Sequence, residues 1–468
     1  MTDERRSTLD ACVAIGAGLV WLWCASSFGV VGFLFSVLPG CLLLSSGVSA
    51  LLYPGDARIA QFAAAGGLLG ALLALPVLLL AGVWPGLGLM LLSAASFLAA
   101  GRISVRQEPL TDSVPEPTRS WSLAAQAAID DAILATVSVR ASMIGLRQYE
   151  RIRGEVHAAR ELFRDRDWLA HPAAYHEAPP PPNAVTVRQI RAGRFEFEHL
   201  QFDSEYEPRA DEPGRDRWLS HAANRTAHAW VMRHPSQSRP WLLCIHGYEM
   251  GVPRLDLAAF QANRLHHQHG LNVVLPVLPL HGPRKIGRRS GDGFLAGNFV
   301  DTVHAEAQAV WDMRRLLAWM RAQNGEAVGV YGLSLGGYNT ALLACLDSQL
   351  VCAIAGIPAV DFSRLTWRHG PPLQIRSAER QGLVHDEVCE VLRVISPLAM
   401  TPQVPRDGRY IFAGIADRLV PPDHARDLWL HWEQPRIEWY QGAHVTFRFH
   451  AGVERLIFDA LRTARLIQ

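Results

Sequence analysis

Two long stretches without a charged side chain, residues 11–55 and 59–101, constrain this chain more than any other feature. A helix that crosses a bilayer needs about 20 predominantly apolar residues, so each stretch is long enough for two spans. A Pro-Gly pair interrupts each stretch near its middle, at Pro39 in the first and at Pro85 in the second. The alternative is that each stretch forms one long helix, which gives two spans in all. We predict four helices in two hairpins, over residues 11–36, 40–54, 59–82 and 87–101.

The arginines that flank these stretches all fall on one side of the predicted membrane. With four spans, all arginines near the ends of the stretches share one side of the membrane, and the two Pro-Gly turns on the other side carry no charge. The positive-inside rule then places both termini in the cytoplasm, and we expect a multi-pass protein of a bacterial inner membrane. The spans contain no Asp, Glu, Lys, Arg or His, which favours an anchor over a transporter or sensor. The flanking arginines are Arg5, Arg6, Arg58, Arg102 and Arg106.

The composition of the whole chain excludes other classes. A net charge of +1 offers no electrostatic basis for binding nucleic acid. The seven cysteines lack the paired spacing of a zinc site and lie mostly in apolar sequence, so we expect reduced and buried thiols. We therefore expect neither a metal nor a nucleic-acid partner.

A connector separates the apolar region from the rest of the chain. Residues 118–168 carry apolar side chains at helical spacing among charges, with no helix breaker before Gly145 and Gly154, and they predict linking helices. Residues 179–182 are four consecutive prolines, which can only be extended. The chain thus divides into a membrane region over 1–102, a helical connector with a proline-rich linker over 103–185, and a further domain over 186–468.

The pattern beyond residue 186 is that of an α/β domain. "RFEFEHLQFDS" (194–204) and "RTAHAWVMRH" (225–234) alternate as antiparallel strands do, and short apolar strands separated by helices follow them. This alternation predicts a mostly parallel central sheet with helices on both faces and the early strands at its edge. The stretch of about 362–393 is longer than an ordinary loop, and we expect it to form a cap over the pocket.

One serine in this domain lies in the sequence context of a nucleophile. Ser334 stands between Gly332 and Gly336, after a buried strand and before a helix. A sharp strand-to-helix turn exposes the serine hydroxyl, and small residues two positions before and after it prevent backbone collisions. The G-x-S-x-G pattern also arises by chance in glycine-rich chains, but the flanking strand and helix favour the catalytic interpretation.

Partners for Ser334 follow in the chain. Asp417 comes just after the strand "RYIFAGIAD", and His444 follows the next strand in "RIEWYQGAH". The order Ser334, Asp417, His444 is the one that this architecture requires. Asp361 also follows a strand, one strand earlier, and is the alternative acid.

Two backbone N–H groups are candidates for an oxyanion hole. His246 and Gly247 end a strand, so the N–H of Tyr248 can point at a developing oxyanion, and we expect the imidazole of His246 to shape this turn. The second donor would be the N–H of Leu335, directly after the nucleophile.

These motifs resemble those of the α/β-hydrolase superfamily. HGY, GLSLGG, ADRLVPP and GAH carry the resemblance, which covers residues 186–468. It implies a Ser-His-Asp acyl-transfer site that hydrolyses esters, thioesters, amides or peptides without a metal or organic cofactor. One departure is the stretch "LPLHGPR" (278–284), where many members have an Asp- or Arg-containing version of a P-x-H-G turn, and it points to no substrate. A four-span anchor is not a usual part of this superfamily.

The combined expectation is a membrane-anchored serine hydrolase that cleaves carboxylic esters through an acyl-serine intermediate. The anchor favours small-molecule or lipid-derived esters as substrates, on the basis of location alone. The alternatives are a peptidase or thioesterase of the same fold and a non-catalytic membrane-bound scaffold. The sequence leaves the physiological substrate and the oligomeric state open.

Overall fold

The computed structural model describes residues 3–27, 29–140, 146–234, 237–324 and 327–468. Its contacts divide the chain into two compact units. The breaker expected at Gly145 lies outside the described residues. The first unit comprises residues 1–142, 414–423 and 439–450, and the second comprises residues 143–413, 424–438 and 451–468.

The first unit is built on long helices. Within the described residues, four of them are long and apolar enough to cross a membrane by length and composition, which agrees with the predicted number of spans. A fifth helix belongs to the predicted connector. The helices are α1 Asp3–Ser27, α2 Gly29–Leu52, α3 Ala57–Leu80, α4 Val83–Gln107 and α5 Trp121–Arg140.

The predicted bounds of these helices are wrong at the two Pro-Gly pairs. Pro39 lies inside α2, which runs from Gly29 to Leu52, so the turn predicted at residues 38–40 is not formed. Neighbouring helices can compensate for the backbone hydrogen bond that a proline removes, and prolines are therefore tolerated within apolar helices. Pro85 lies in the first turn of α4, where a missing N–H leaves no intrahelical partner unsatisfied.

Small side chains hold the helices of this unit together. Ala17 of α1, Leu43 of α2, Ala74 of α3 and Leu89 of α4 belong to one buried cluster. Trp21 lies in the same cluster, and its indole N–H donates to Ser93 Oγ of α4 at 2.9 Å. Close approach of this kind is how apolar helices associate where burial alone provides little driving force. A second cluster joins α3, α4 and α5 through Ala63, Ala64, Ala100, Ala128 and Ala132.

The chain beyond residue 186 forms a mixed sheet, nine-stranded within the described residues, in the order β1-β2-β3-β5-β4-β6-β7-β8-β9. The pairs β4–β5, β4–β6, β6–β7 and β7–β8 are parallel, whereas β1, β2 and β3 form an antiparallel edge that joins β5. The predicted α/β class with a largely parallel sheet is confirmed. The strands are β1 Thr186–Ala192, β2 Phe195–Asp203, β3 Thr226–Met232, β4 Trp241–Ile245, β5 Asn272–Val277, β6 Val328–Leu333, β7 Leu350–Gly356, β8 Arg409–Gly414 and β9 Arg436–Tyr440.

Burial explains which strands the sequence pattern revealed. All side chains of β4, β5, β6 and β8 are buried, as their continuous apolar runs predict. The side chains of β1 are almost all exposed, so this strand has no apolar period and was not predicted. It is held by backbone pairing with β2 from Thr186 to Ala192.

Helices of the second unit flank this sheet or extend the connector. After β4, a short helix at Pro253–Ala259 is followed by a π-helical turn at Arg264–Gln268. The helices are α6 Leu146–Asp165, α7 Arg215–Leu219, α8 Pro253–Ala259, α9 Phe299–Asn324, α10 Leu335–Leu346, α11 Phe362–His369, α12 Pro372–Arg380, α13 His385–Leu392, α14 Pro422–His431 and α15 Ala451–Thr463.

The segment expected to form a cap is helical. It contains the three helices α11, α12 and α13. Helix α6 of the connector packs against α13, and its Arg160 lies 2.6 Å from a carboxylate oxygen of Glu390 and 3.0 Å from one of Glu387. The connector therefore contributes to the second unit by packing against the cap segment. The exact limits of the cap and of the three predicted domains stay predictions.

A matched pair of glycines tests the packing of the first unit. A Cβ at Gly67 of α3 would lie 2.8–2.9 Å from the backbone of Phe97, whereas a Cβ at Gly88 of α4 would meet open space. We expect Gly67→Ala to lower the stability of the full-length protein in detergent micelles by about 1–3 kcal/mol, because overpacking forces a backbone shift. Gly88→Ala should be neutral or stabilising, since alanine is the better helix former. Thermal unfolding measures both, and equal melting temperatures would contradict the observed packing.

Candidate active site

The turn that carries Ser334 is strained. Ser334 connects β6 to α10 with φ 58° and ψ −113°, a conformation that residues with a side chain rarely adopt. Its N–H donates to the carbonyl of Gly356 at 2.9 Å, and its carbonyl accepts the N–H of Tyr338 at 3.0 Å. Strand β6 before Ser334 and helix α10 after it are both buried, so the surrounding structure can hold this strained conformation.

The glycines on either side of Ser334 are sterically required. A Cβ at Gly332 would overlap the backbone of Gly336, and a Cβ at Gly336 would overlap the carbonyl of Ile245 in β4. The G-x-S-x-G spacing therefore corresponds here to a turn in which the two glycines approach backbone closely. This is the local geometry of a nucleophile elbow.

The turn after β4 lies against this elbow. A Cβ at Gly247 would lie 3.3 Å from the carbonyl oxygen of Leu333 and 3.5 Å from Cβ of Ser334. His246 is fully buried, and its Nε2 accepts the N–H of Leu278 at 3.1 Å. Its Nδ1 lies 2.8 Å from the carbonyl of Gly247, which fits a neutral imidazole that donates from Nδ1.

Burial lowers the pKa of His246, outweighing the opposing charge of Asp256 and the hydrogen bond to Gly247. Asp256 itself was missed by the sequence reasoning. Its carboxylate accepts the N–H of Gly251 at 3.0 Å and the indole N–H of Trp230 at 3.1 Å, which fixes the far end of the same turn. Tyr248 lies within this turn, and Leu335 is the first residue of α10. That their N–H groups form an oxyanion hole stays a prediction.

Asp417 and His444 form a buried acid–histidine pair. Asp417 Oδ2 lies 2.6 Å from His444 Nδ1, and Asp417 Oδ1 accepts the N–H of Val420 at 2.8 Å. Burial alone would lower the pKa of His444, but the negative charge of Asp417, its hydrogen bond and the charge of Asp130 together raise that pKa. The pair therefore favours the protonated imidazolium.

A second carboxylate contacts this pair and was missed by the sequence reasoning. Asp130 of α5 accepts the backbone N–H of His444 at 2.8 Å and the backbone N–H of Arg418 at 3.0 Å. Both bonds end on the same oxygen, Oδ2. The one available signal was the adjacent Asp130-Asp131 pair within the apolar helix "AAQAAIDDAILATV", because buried carboxylates need polar partners.

The alternative acid has a structural role. Asp361 is the N-cap of α11, where its carboxylate accepts the N–H of Arg364 at 3.0 Å and the hydroxyl of Ser363 at 2.5 Å. Burial opposes ionisation, but these hydrogen bonds and the charge of Arg364 outweigh it and lower the pKa of Asp361. Its oxygens thus serve the helix start, which favours Asp417 as the acid.

The predicted site residues fall into two groups. Ser334, Leu335, Tyr248 and the flanking glycines belong to the second unit, whereas Asp417 and His444 belong to the first. That one triad unites the two groups stays a prediction. No cluster of three or more His, Cys, Asp or Glu side chains suited to a metal occurs among the described residues, and the expectation of cofactor-free chemistry likewise stays a prediction.

Comparison with known proteins assigns the family of the chain. No known protein-family model matches it. It is 44% identical over 363 residues to the uncharacterized protein Rv2627c of Mycobacterium tuberculosis strain H37Rv, which is 77% of this chain and 86% of that protein. The uncharacterized protein MT2702 of strain CDC 1551 matches to the same extent. The chain belongs to the family of these two mycobacterial proteins.

Solved structures with a similar fold are α/β-hydrolase-like. The acetyl xylan esterase of Paenibacillus sp. R4 is 17% identical, with a TM-score of 0.46 over 64% of this chain and 93% of the esterase. Acetyl xylan esterase 1 of Thermoanaerobacterium sp. JW/SL YS485 is 14% identical, with a TM-score of 0.45 over 63% and 92% of the two chains. An acylaminoacyl peptidase of Pyrococcus horikoshii is 12% identical, with a TM-score of 0.35 over 59% of this chain and 41% of the peptidase.

The contact between Asp417 and His444 predicts how the imidazole of His444 titrates. In the full-length protein we expect the imidazole of His444 to titrate above about 6.5, the ordinary value for histidine. Asp417→Asn should lower the pKa of His444, because it removes the negative charge that favours the imidazolium. Histidine NMR in micelles, with the resonance assigned by His444→Gln, measures the shift. Asp361→Asn is the matched control and should leave the titration of His444 unchanged; the opposite result would identify Asp361 as the acid.

Proposed function

We propose that the protein is a membrane-anchored serine hydrolase that cleaves carboxylic esters through an acyl-serine intermediate. The Oγ of Ser334 attacks the acyl carbonyl while His444 Nε2 takes its proton. Asp417, bonded to Nδ1, fixes the tautomer of the imidazole and stabilises the imidazolium. The N–H groups of Tyr248 and Leu335 bind the tetrahedral oxyanion.

The remaining steps complete the acylation and then hydrolyse the acyl-serine. His444 returns its proton to the leaving alcohol, which departs and leaves the acyl group on Ser334. A water molecule then gives a proton to His444 and attacks the acyl-serine. Collapse of the second tetrahedral intermediate releases the carboxylic acid, and the proton on His444 restores the hydroxyl of Ser334.

The observation that carries the proposal is the 2.6 Å contact between Asp417 and His444. A buried carboxylate on Nδ1 leaves Nε2 as the position that exchanges protons with a nucleophile. The strained turn at Ser334 supplies a serine in the local geometry of a nucleophile elbow. Strands β6 and β8 both run parallel to β7, and the residues that follow the carboxyl ends of parallel strands form the binding sites of open α/β sheets.

The substrate class is proposed on two grounds. Ester hydrolysis is the activity named for several of the structurally similar proteins, and the apolar helices favour esters that partition into membranes. A peptidase or thioesterase is the second candidate, because an acylaminoacyl peptidase also has a similar fold. A non-catalytic scaffold is the remaining alternative.

Activity-based labelling tests the proposal. We expect a fluorophosphonate probe to label the full-length protein in micelles, because the His444-activated hydroxyl of Ser334 attacks phosphorus as it would an acyl carbonyl. Ser334→Ala should abolish both the labelling and the turnover of acyl esters of increasing chain length. Ser363→Ala serves as the matched control, because Ser363 bonds Asp361 at the start of α11 and should not affect labelling. A wild-type protein that neither labels nor hydrolyses esters, thioesters or peptide substrates would overturn the proposal in favour of a scaffold.

We also propose that both ends of the apolar region face the cytoplasm, so that the catalytic domain lies there. Green fluorescent protein fused after Leu110, just beyond α4, should fluoresce in a bacterial host, and alkaline phosphatase at the same position should be inactive. Fusions after Ala81, between α3 and α4, should give the reverse pattern. The positive-inside rule is the physical basis, since arginines flank the apolar helices at the first position and not at the second. Alkaline phosphatase activity after Leu110 would contradict this orientation.

A further inference from the structure

We propose that Asp130 is a positioning residue that joins the loop carrying Asp417 to the loop carrying His444. A single carboxylate oxygen of Asp130 accepts the N–H of Arg418, the residue after the acid, and the N–H of His444 itself. The two loops follow the consecutive strands β8 and β9. One side chain of α5 thus bridges both loops, in addition to the backbone hydrogen bonds between them. This inference rests on the proposed function, since it matters to catalysis only if His444 is the base.

Burying the carboxylate of Asp130 lowers the stability of the folded protein unless its contacts compensate. Its side chain is fully buried, and its second oxygen, Oδ1, has no hydrogen-bond partner within the described part of the chain. A buried carboxylate with an unsatisfied oxygen is destabilising unless its other contacts compensate. In the described residues those contacts are the two N–H groups of the catalytic loops. A structural helix residue at this position would not need to be charged.

The neighbouring residues hold Asp130 and the acid loop in place. Arg418 extends its side chain along the same helix, with Nε 3.5 Å from Asp131 Oδ1, and it also pairs with Glu108 just beyond α4. Ser104 of α4 donates to the other oxygen of Asp131. Arg418 is therefore anchored through its backbone by Asp130 and through its guanidinium by Asp131 and Glu108.

Asp130 also contributes charge to the site. Among the described residues, the titratable groups that face His444 are Asp417 and Asp130, and those around Asp130 are Asp417, His444, Arg418 and Asp131. The negative charge of Asp130 raises the pKa of His444, in the same direction as Asp417 does. Burial raises the pKa of Asp130 itself. The charge of Asp417 raises this pKa further, because two carboxylates near one imidazole repel each other.

Two substitutions at this position separate geometry from charge. Asp130→Ala removes the acceptor, and we expect kcat to fall on the order of 10- to 100-fold with little change in KM, because a small displacement of the base impairs proton transfer. Asp130→Asn keeps an oxygen for the two N–H groups but removes the charge. It should retain more of kcat and move the acid limb of the kcat/KM profile to lower pH, since His444 then loses its proton more easily.

The experiment uses the full-length protein in micelles, with Asp361→Asn as the matched control. This control removes a carboxylate that serves the start of α11 and does not contact the N–H of His444, so it should leave the acid limb in place. Circular dichroism establishes that each variant is folded. Wild-type kcat in Asp130→Ala, together with a wild-type pH profile in Asp130→Asn, would overturn the inference. An equal displacement of the acid limb by Asp361→Asn would also overturn it.

A readout independent of turnover separates this inference from the proposed function. The imidazole of His444 can be titrated by NMR whether or not the protein hydrolyses esters. A lower pKa of His444 in Asp130→Asn supports the positioning contact even if wild type shows no labelling of Ser334, in which case only the proposed function fails. An unchanged pKa of His444 beside normal labelling of wild-type Ser334, with wild-type kcat in Asp130→Ala, would instead reject the role of Asp130 alone.

Discussion

The hydrogen bond between Asp417 and His444 depends on two short loops that the backbone itself holds together. The N–H of Ile415 donates to the carbonyl of Tyr440, and the N–H of Ala416 donates to the carbonyl of Gly442, each at 3.0 Å. These bonds continue beyond the ends of β8 and β9. They bring a carboxylate and an imidazole together in a buried site, where their attraction is stronger than in water. A pair that is buried must remain paired, because either group alone would be strongly destabilised.

The elbow at Ser334 and the largely parallel sheet were predictable because their causes are local or periodic. The glycines around Ser334 are needed within one turn, so the steric requirement appears as a five-residue motif. The buried parallel strands appear as continuous apolar runs, because both of their faces are covered. The pairing of Asp417 with His444 was predictable only through chain order. The sequence offered Asp361 as well, and the difference became apparent from its use as the N-cap of α11.

Features that depend on distant contacts were not predictable. Strand β1 is exposed and exists because β2 offers it a backbone partner, which leaves no apolar period to detect. Pro39 resembled a turn because the sequence alone did not reveal the neighbouring helices that let a proline remain within α2. Asp130 is separated from His444 by more than 300 positions, and only the fold shows that its carboxylate meets two backbone N–H groups. In each case the deciding interaction joins residues that local patterns treat as independent.

The grouping of the acid and histidine loops with the apolar helices bears on what the N-terminal helices contribute. Residues 414–423 and 439–450 belong to the same compact unit as residues 1–142. Within that unit Asp130 and Asp131 of α5, with Glu108 beyond α4, supply the polar partners of the acid loop. A chain that began at residue 186 would lack all three carboxylates, and the N–H groups of His444 and Arg418 would need other acceptors. If Asp130 positions His444 as proposed, helix α5 of the first unit contributes to the catalytic machinery, and a catalytic domain separated from this helix would lose that support.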